Sequence, residues 1–205
     1  MRRKELFSYF NGSPYFTKQA LALLVEKFSI SRESLNTHIQ RAIKNKEIIK
    51  LKNGLYVTSD FYKSRKGNLS YAFYISNVLL PASYVSRESA LQYYGLLSEG
   101  AYRIIMAIAK KTPRRFNNNL GVFEYRKIKD SLFKGFVSRK DGEFSFLIAE
   151  PYKAIYDYLY YRFNLSNFEL KNLKAALDEY RIDYDELPKS EMNKLIKTIN
   201  ERKDG

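Results

Sequence analysis

The pair Asn53-Gly54 lies between two short segments of alternating character, Glu47-Ile48-Ile49-Lys50-Leu51-Lys52 and Leu55-Tyr56-Val57. Both residue types tolerate positive φ, which makes this the strongest short-range signal for a hairpin, closed by a type I′ turn. The chain before it has the other period. Lys4 to Phe10 reads as a short helix stopped by the turn cluster Asn11-Gly12-Ser13-Pro14. Thr17 caps a second helix, with Ala20, Leu21, Leu24 and Val25 at helical spacing to about Lys27. Phe28-Ser29-Ile30-Ser31 turns the chain, and a third helix starts at Ser31 or shortly after it and runs to about Asn45.

At 100° per residue the third helix has two faces. Leu35, Ile39, Ala42 and Ile43 share an apolar stripe; Ser34, Thr37, Gln40, Arg41 and Lys44 lie opposite, with Glu33 the one acid beside them. Helix, helix, polar-faced helix and hairpin predict a winged helix-turn-helix over residues 1–66 that binds double-stranded DNA, the third helix in the major groove and the hairpin along the flanking backbone. Arg41 and Gln40 can make bidentate contacts to guanine and adenine edges. Ser34, Thr37, Lys44, Lys50 and Lys52 suit phosphates, and Arg32 belongs to the same DNA-binding set. One module buries too little for tight specificity, so two copies per operator are expected.

Charge is distributed in the same sense. The whole chain carries a net +14, of which residues 1–66, with 14 basic and 5 acidic side chains, hold +9. Residues 67–150 hold +5, and residues 151–205 balance at 10 of each sign. A positive field at one end is the footprint of a polyanionic partner.

Residues 59–68 read as a basic connector, although Asp60 to Lys63 could prolong a strand or form a turn of helix. Leu69 to Leu80 is a helix ended by Pro81; Ser86 caps another, Arg87 to Tyr94, which Gly95 closes. Strands follow at Tyr102–Ala109, Gly121–Ile128, Leu132–Val137 and Phe144–Ala149, with loops at Lys110–Asn119, Lys129-Asp130 and Lys140–Gly142. Pro151 fits the first turn of a helix ending near Phe163, and helices at about Asn167–Tyr180 and Ser190–Arg202 complete the chain. The class is therefore α+β: the winged helix, then a mixed α/β domain over residues 67–205 with a small, mainly antiparallel sheet and C-terminal helices. Arg87, Lys110, Lys111, Arg114, Arg115, Arg126, Lys127 and Lys129 make a second basic group in that domain. It reads either as a track for bent DNA or RNA, or as ordinary charge around a strand pair; Arg126 and Lys127 fall on opposite faces of their strand.

Catalytic chemistry is poorly supplied. Cysteine is absent, His38 is the one histidine, and no Walker loop, His-x-x-x-His or Gly-x-Ser-x-Gly occurs. A nuclease would need carboxylates converging on Mg²⁺, and Glu124 has only Glu88 and Glu99 upstream of it as far back as Asp60. No catalytic residue, metal site or cofactor is expected. Without an apolar run of about 18 residues or a signal-like N-terminus, no membrane association is expected and a cytoplasmic location is.

Three stretches resemble a known family. They are Pro81-Ala82-Ser83-Tyr84-Val85-Ser86-Arg87-Glu88-Ser89-Ala90-Leu91-Gln92-Tyr93-Tyr94-Gly95-Leu96; Lys110-Lys111-Thr112-Pro113-Arg114-Arg115-Phe116 with Leu120 to Ile128; and Ile148-Ala149-Glu150-Pro151-Tyr152-Lys153-Ala154-Ile155-Tyr156-Asp157. Together with the N-terminal module they are similar to AbiEi-type antitoxins of type IV abortive-infection toxin–antitoxin systems, although that family often has Glu where Tyr152 stands. The resemblance implies a repressor that binds inverted repeats in its own operator. Its C-terminal domain would neutralise a cognate nucleotidyltransferase toxin, without need of a stable complex. The alternative is a winged-helix regulator whose C-terminal domain senses a ligand or mediates assembly, with no toxin partner.

Overall fold

The computed structural model describes residues 3–28, 32–97, 104–163 and 165–201, the side chains of residues 3–5, 32–34 and 166 excepted. The chain forms two compact units, Met1–Tyr71 with Phe116–Gly121, and Ala72–Arg115 with Val122–Gly205. The first unit thus extends past residue 66 and takes in a distant segment.

The first unit runs α1 (Arg3–Ser8), β1 (Phe16–Thr17), α2 (Lys18–Lys27), α3 (Arg32–Lys44), β2 (Ile48–Lys52), β3 (Leu55–Thr58) and α4 (Ser59–Ser64). Thr17 caps α2, its hydroxyl accepting from the Ala20 amide at 3.0 Å. The apolar stripe of α3 enters the core: Leu35, Ile39 and Ala42 are buried, packed with Leu21 and Val25 of α2 and with Leu6, Phe7, Phe16, Ile48 and Tyr56. Full burial of each large aliphatic side chain contributes about 1.5–3 kcal/mol. β3 lies between β1 and β2, antiparallel to both.

The hairpin forms where expected but with a different turn. Gly54 takes φ +76° while Asn53 is not among the left-handed residues, and the register shifts between Lys50 and Lys52. That combination matches a turn followed by a glycine bulge rather than a type I′ turn. The Lys18 amide donates to the Gly54 carbonyl at 2.8 Å, tying α2 to the hairpin. Residues 59–64, expected in a connector, form α4, capped by Thr58.

The second unit contains most of α5 (Leu69–Leu79), then β4 (Ser83–Val85), α6 (Arg87–Tyr93), β5 (Ile104–Ala109), β6 (Arg114–Asn118), β7 (Gly121–Lys127), β8 (Phe136–Asp141), β9 (Phe144–Ala149), α7 (Pro151–Tyr160), α8 (Leu173–Glu179) and α9 (Lys189–Glu201). The six strands order as β6-β7-β5-β4-β9-β8. The sheet is mixed: β4–β9 and β5–β7 pair in parallel, β4–β5 and β8–β9 antiparallel, and the β6–β7 hairpin adds a third antiparallel pair. Residues 110–119, expected as a loop, contain the strand β6, and residues 116–121 at the end of its hairpin with β7 belong to the first unit. The strand expected from Leu132 starts at Phe136, after a 3-10 turn at Asp130–Leu132. The helix expected from Asn167 is confined to Leu173–Glu179, after 3-10 turns at Leu165–Asn167 and Leu170–Asn172.

Cross-strand partners share a sheet face. Tyr84, Ile108 and Arg126 therefore lie on one side, and Val85, Ala107, Tyr125 and Ile148 on the other. On the first side the Tyr84 hydroxyl meets Asp157 of α7; on the second, Tyr125 hydrogen-bonds Ser76 of α5. Helices thus cover both faces of the sheet.

Three helices end in the same way. At Lys46, Gly95 and Arg181 the backbone turns left-handed, with φ of +56°, +73° and +53°. The next amide donates back over the last turn, Glu47 to Ala42, Leu96 to Leu91 and Ile182 to Leu177, each at 2.8–2.9 Å. This is the Schellman motif, for which glycine is the usual residue and lysine or arginine the strained one.

Candidate nucleic-acid interface

With the stripe of α3 anchored in the core, its other side faces solvent: Thr37, Gln40, Arg41 and Lys44 are all exposed. None of them makes an ion pair among the described residues. Arg32 and Ser34 belong to the first turn of α3, and their side chains lie outside the described residues. On the hairpin, Lys50 is exposed and Lys52 half-buried, and burial pulls the Lys52 ammonium below the usual lysine value. The unit therefore presents one helix face and one strand carrying donors and cations. That can contact phosphates and base edges.

The hairpin has a partner that local sequence pattern could not signal. Asn118 donates to the Leu51 carbonyl at 3.0 Å, and the Tyr62 hydroxyl of α4 donates to the Asn119 carbonyl at 2.9 Å. Residues 116–121 thereby hold the strand that carries Lys50 and Lys52.

Compared with known protein families and with curated proteins, the sequence matches none.

The second basic group does not form one surface. Lys110, Lys111, Arg114, Arg115 and Lys127 are exposed. Arg87 is not: it is 3 % exposed, which removes it from any surface. Its guanidinium approaches Glu88 at 3.4 Å and Glu124 at 3.6 Å and sits 5.3 Å from the centre of the Tyr161 ring. Burial is the main cause that lowers its pKa. Arg126 lies 5.2 Å from the same ring and pairs with Glu124 at 3.1 Å. Arg162 bonds Glu88 and stacks 3.8 Å over Tyr158. Glu124, the one hint of a nuclease carboxylate, is thus committed to two arginines. Among the described residues no group of three His, Cys, Asp or Glu is placed to hold a metal.

Ser86 is also reassigned. It occupies the position before α6, but its side chain makes no capping bond. Instead its hydroxyl donates to Asp157 at 2.7 Å, beside the Tyr84 hydroxyl at 3.0 Å and the Lys153 ammonium at 2.6 Å. Asp157 and Ser86 are fully buried and Lys153 is 2 % exposed. The carboxylate beside it, together with burial, drives the Tyr84 phenol pKa far up. The i, i+4 spacing of Lys153 and Asp157 is visible in sequence, but nothing local marks it as buried.

Proposed function

We propose that the first unit is a winged helix-turn-helix that grips double-stranded operator DNA, with α3 in the major groove and the β2–β3 hairpin against phosphates. One observation carries this reading: a helix whose apolar stripe is buried presents a solvent-facing side of Thr37, Gln40, Arg41 and Lys44, with Lys50 exposed on the hairpin of the same unit. Arg41 and Gln40 read base edges; Thr37, Lys44, Lys50 and Lys52 set register on phosphates, as Arg32 and Ser34 do at the start of α3. Two copies occupy an inverted repeat. On this reading the chain is a DNA-binding antitoxin of AbiEi type that represses its own operon and neutralises a cognate nucleotidyltransferase toxin, a binding protein and not an enzyme, acting in the cytoplasm. The toxin-directed half rests on the resemblance of residues 81–96, 110–128 and 148–157 alone. No helix among the described residues is long and apolar enough to cross a membrane.

Fluorescence anisotropy on the DNA upstream of the gene, across a salt series, tests the DNA half. Arg41→Ala should cost about 1–3 kcal/mol and relax base preference at one position, while Lys50→Ala should weaken all sequences alike and reduce the salt slope by about 1. Wild-type binding by both variants at every salt concentration overturns the assignment. Co-expression with the neighbouring reading frame tests the antitoxin half, which fails if that frame is not toxic or is not rescued.

A further inference from the structure

Beside the DNA-facing surface of the first unit lies a groove of about 360 Å³ between the end of α3, β2 and α4. Its walls include Ile43, Ile49 and Tyr62, all partly exposed, and its lining adds the exposed Lys46, Lys50 and Lys63 and no Asp or Glu. None of these lysines makes an ion pair among the described residues. A neighbouring groove of about 390 Å³ shares Lys46 and Lys63 and is lined by Glu47 and Asp60 as well. Lys50 lines the first of these two grooves and not the second.

From this combination we infer that the groove binds a small organic anion with a flat apolar body, an aromatic carboxylate, and that the bound anion acts as an effector of DNA binding. Ligand pockets of this size are apolar clefts with a few convergent polar groups. Inorganic phosphate would satisfy the lysines and leave the isoleucine and tyrosine surface wet. A neutral arene would cover that surface and leave Lys50 and the lysine side of the lining without an anion. An aromatic carboxylate does both at once. Lys50 is shared with the proposed DNA contacts, so a carboxylate held there competes with a DNA phosphate for the same charge. The effector role rests on the DNA-binding reading; occupancy of the groove does not.

The test is an amide ¹H–¹⁵N titration of the full chain with 2-naphthoate, in parallel with 2-naphthol and with inorganic phosphate at matched ionic strength. Naphthoate should shift amides of residues 43–50 and 59–63 saturably, with Kd on the order of 1 mM or tighter. Lys63→Met, which keeps most of the side-chain stem and lies outside the proposed DNA-contact set, should weaken naphthoate about tenfold; Lys46→Met serves as a second variant, and both are checked by thermal melting. The site is overturned if phosphate or naphthol shifts the same amides as tightly as naphthoate, or if both lysine variants bind naphthoate like wild type. With DNA present, naphthoate should lower the affinity of wild type and do so for Lys63→Met only at about tenfold higher concentration. If it occupies the groove without changing DNA affinity, the effector role falls. If the chain binds no DNA while the naphthoate shifts persist, the DNA-binding reading falls instead.

Discussion

Replacing Asp157 by Asn keeps the size of the side chain and removes one charge from the interior of the second unit. The carboxylate accepts from Lys153, Ser86 and Tyr84 at 2.6, 2.7 and 3.0 Å, and neither it nor Lys153 is more than 2 % exposed. Asparagine leaves the ammonium buried without a counter-charge and turns an amide NH₂ toward donors. Breaking a buried pair from one side costs about 3–5 kcal/mol, about a fifth or more of the roughly 5–15 kcal/mol typical of a domain. Ser86→Ala removes one bond to a charged acceptor and should cost about 1.5–3 kcal/mol. Replacing both ions together with the two hydroxyls, Asp157→Leu and Lys153→Met with Ser86→Ala and Tyr84→Phe, removes the desolvation penalty along with the attraction and leaves no donor without its acceptor, and should fall within about 1 kcal/mol of wild type. Because the chain has two units, the readout is native-state hydrogen exchange at the amides of α7, with urea midpoints beside it. A cost below about 1 kcal/mol for Asp157→Asn, or a fourfold variant as unstable as the single one, would refute this account.

Three further outcomes are expected. Tyr84 and Tyr125 are buried, burial drives both phenol pKa values up, and the folded state therefore holds its protons where the unfolded chain releases them. Stability should be flat below pH 10 with respect to these groups and fall by about 1.4 kcal/mol per pH unit for each above it; urea midpoints across pH check this, and Tyr125→Phe should remove its share of the fall. Arg181→Gly should stabilise the second unit by up to about 1 kcal/mol, since it relieves a left-handed strain of about 1–2 kcal/mol and returns part of it as unfolded-chain entropy; an unchanged or lower melting temperature would contradict this. Gly135 sits at φ +76°, where a methyl group would stand 2.3 Å from the Tyr152 hydroxyl and 3.2 Å from Lys153 Cγ. Gly135→Ala should cost about 1–3 kcal/mol by urea denaturation, and adding Tyr152→Phe should recover the part due to the hydroxyl, leaving the tight contacts to the ring Cζ at 3.0 Å and to Lys153 Cγ, and the backbone part.

Where periodicity was long, it was informative. The stripe Leu35, Ile39, Ala42 and Ile43 located α3 and its outward face, Pro151 marked the start of α7, and Phe144–Ala149 is β9 to the residue. Elements without a period were hidden. β1 and β4 have two and three residues, too few to alternate, and exist through pairing with β3 and with β5 and β9. β6 reads Arg-Arg-Phe-Asn-Asn, polar except for Phe116, and as the edge of the sheet it buries little that would pattern it. Burial of charge was the hardest to foresee. Arg87 looked like one more surface cation, and Ser86 like a cap, because the groups that engage them, Glu124, Tyr161 and Asp157, are brought close only by the tertiary fold. The exposed residues of the candidate interface were legible for the opposite reason: among the described residues no ion pair draws Arg41, Lys44 or Lys50 away from solvent.

The first unit is built from two pieces of chain, since residues 116–121 bond to Leu51 and Tyr62 inside it. A gene fragment cut after α4 would therefore release a head lacking its clasp, with the Leu51 carbonyl left to water. On the proposed DNA-binding reading, chimeras that exchange this unit would have to transplant both pieces together, so recombination at the apparent linker would be a poor route to a new specificity, and drift in the helix face would be the route left open.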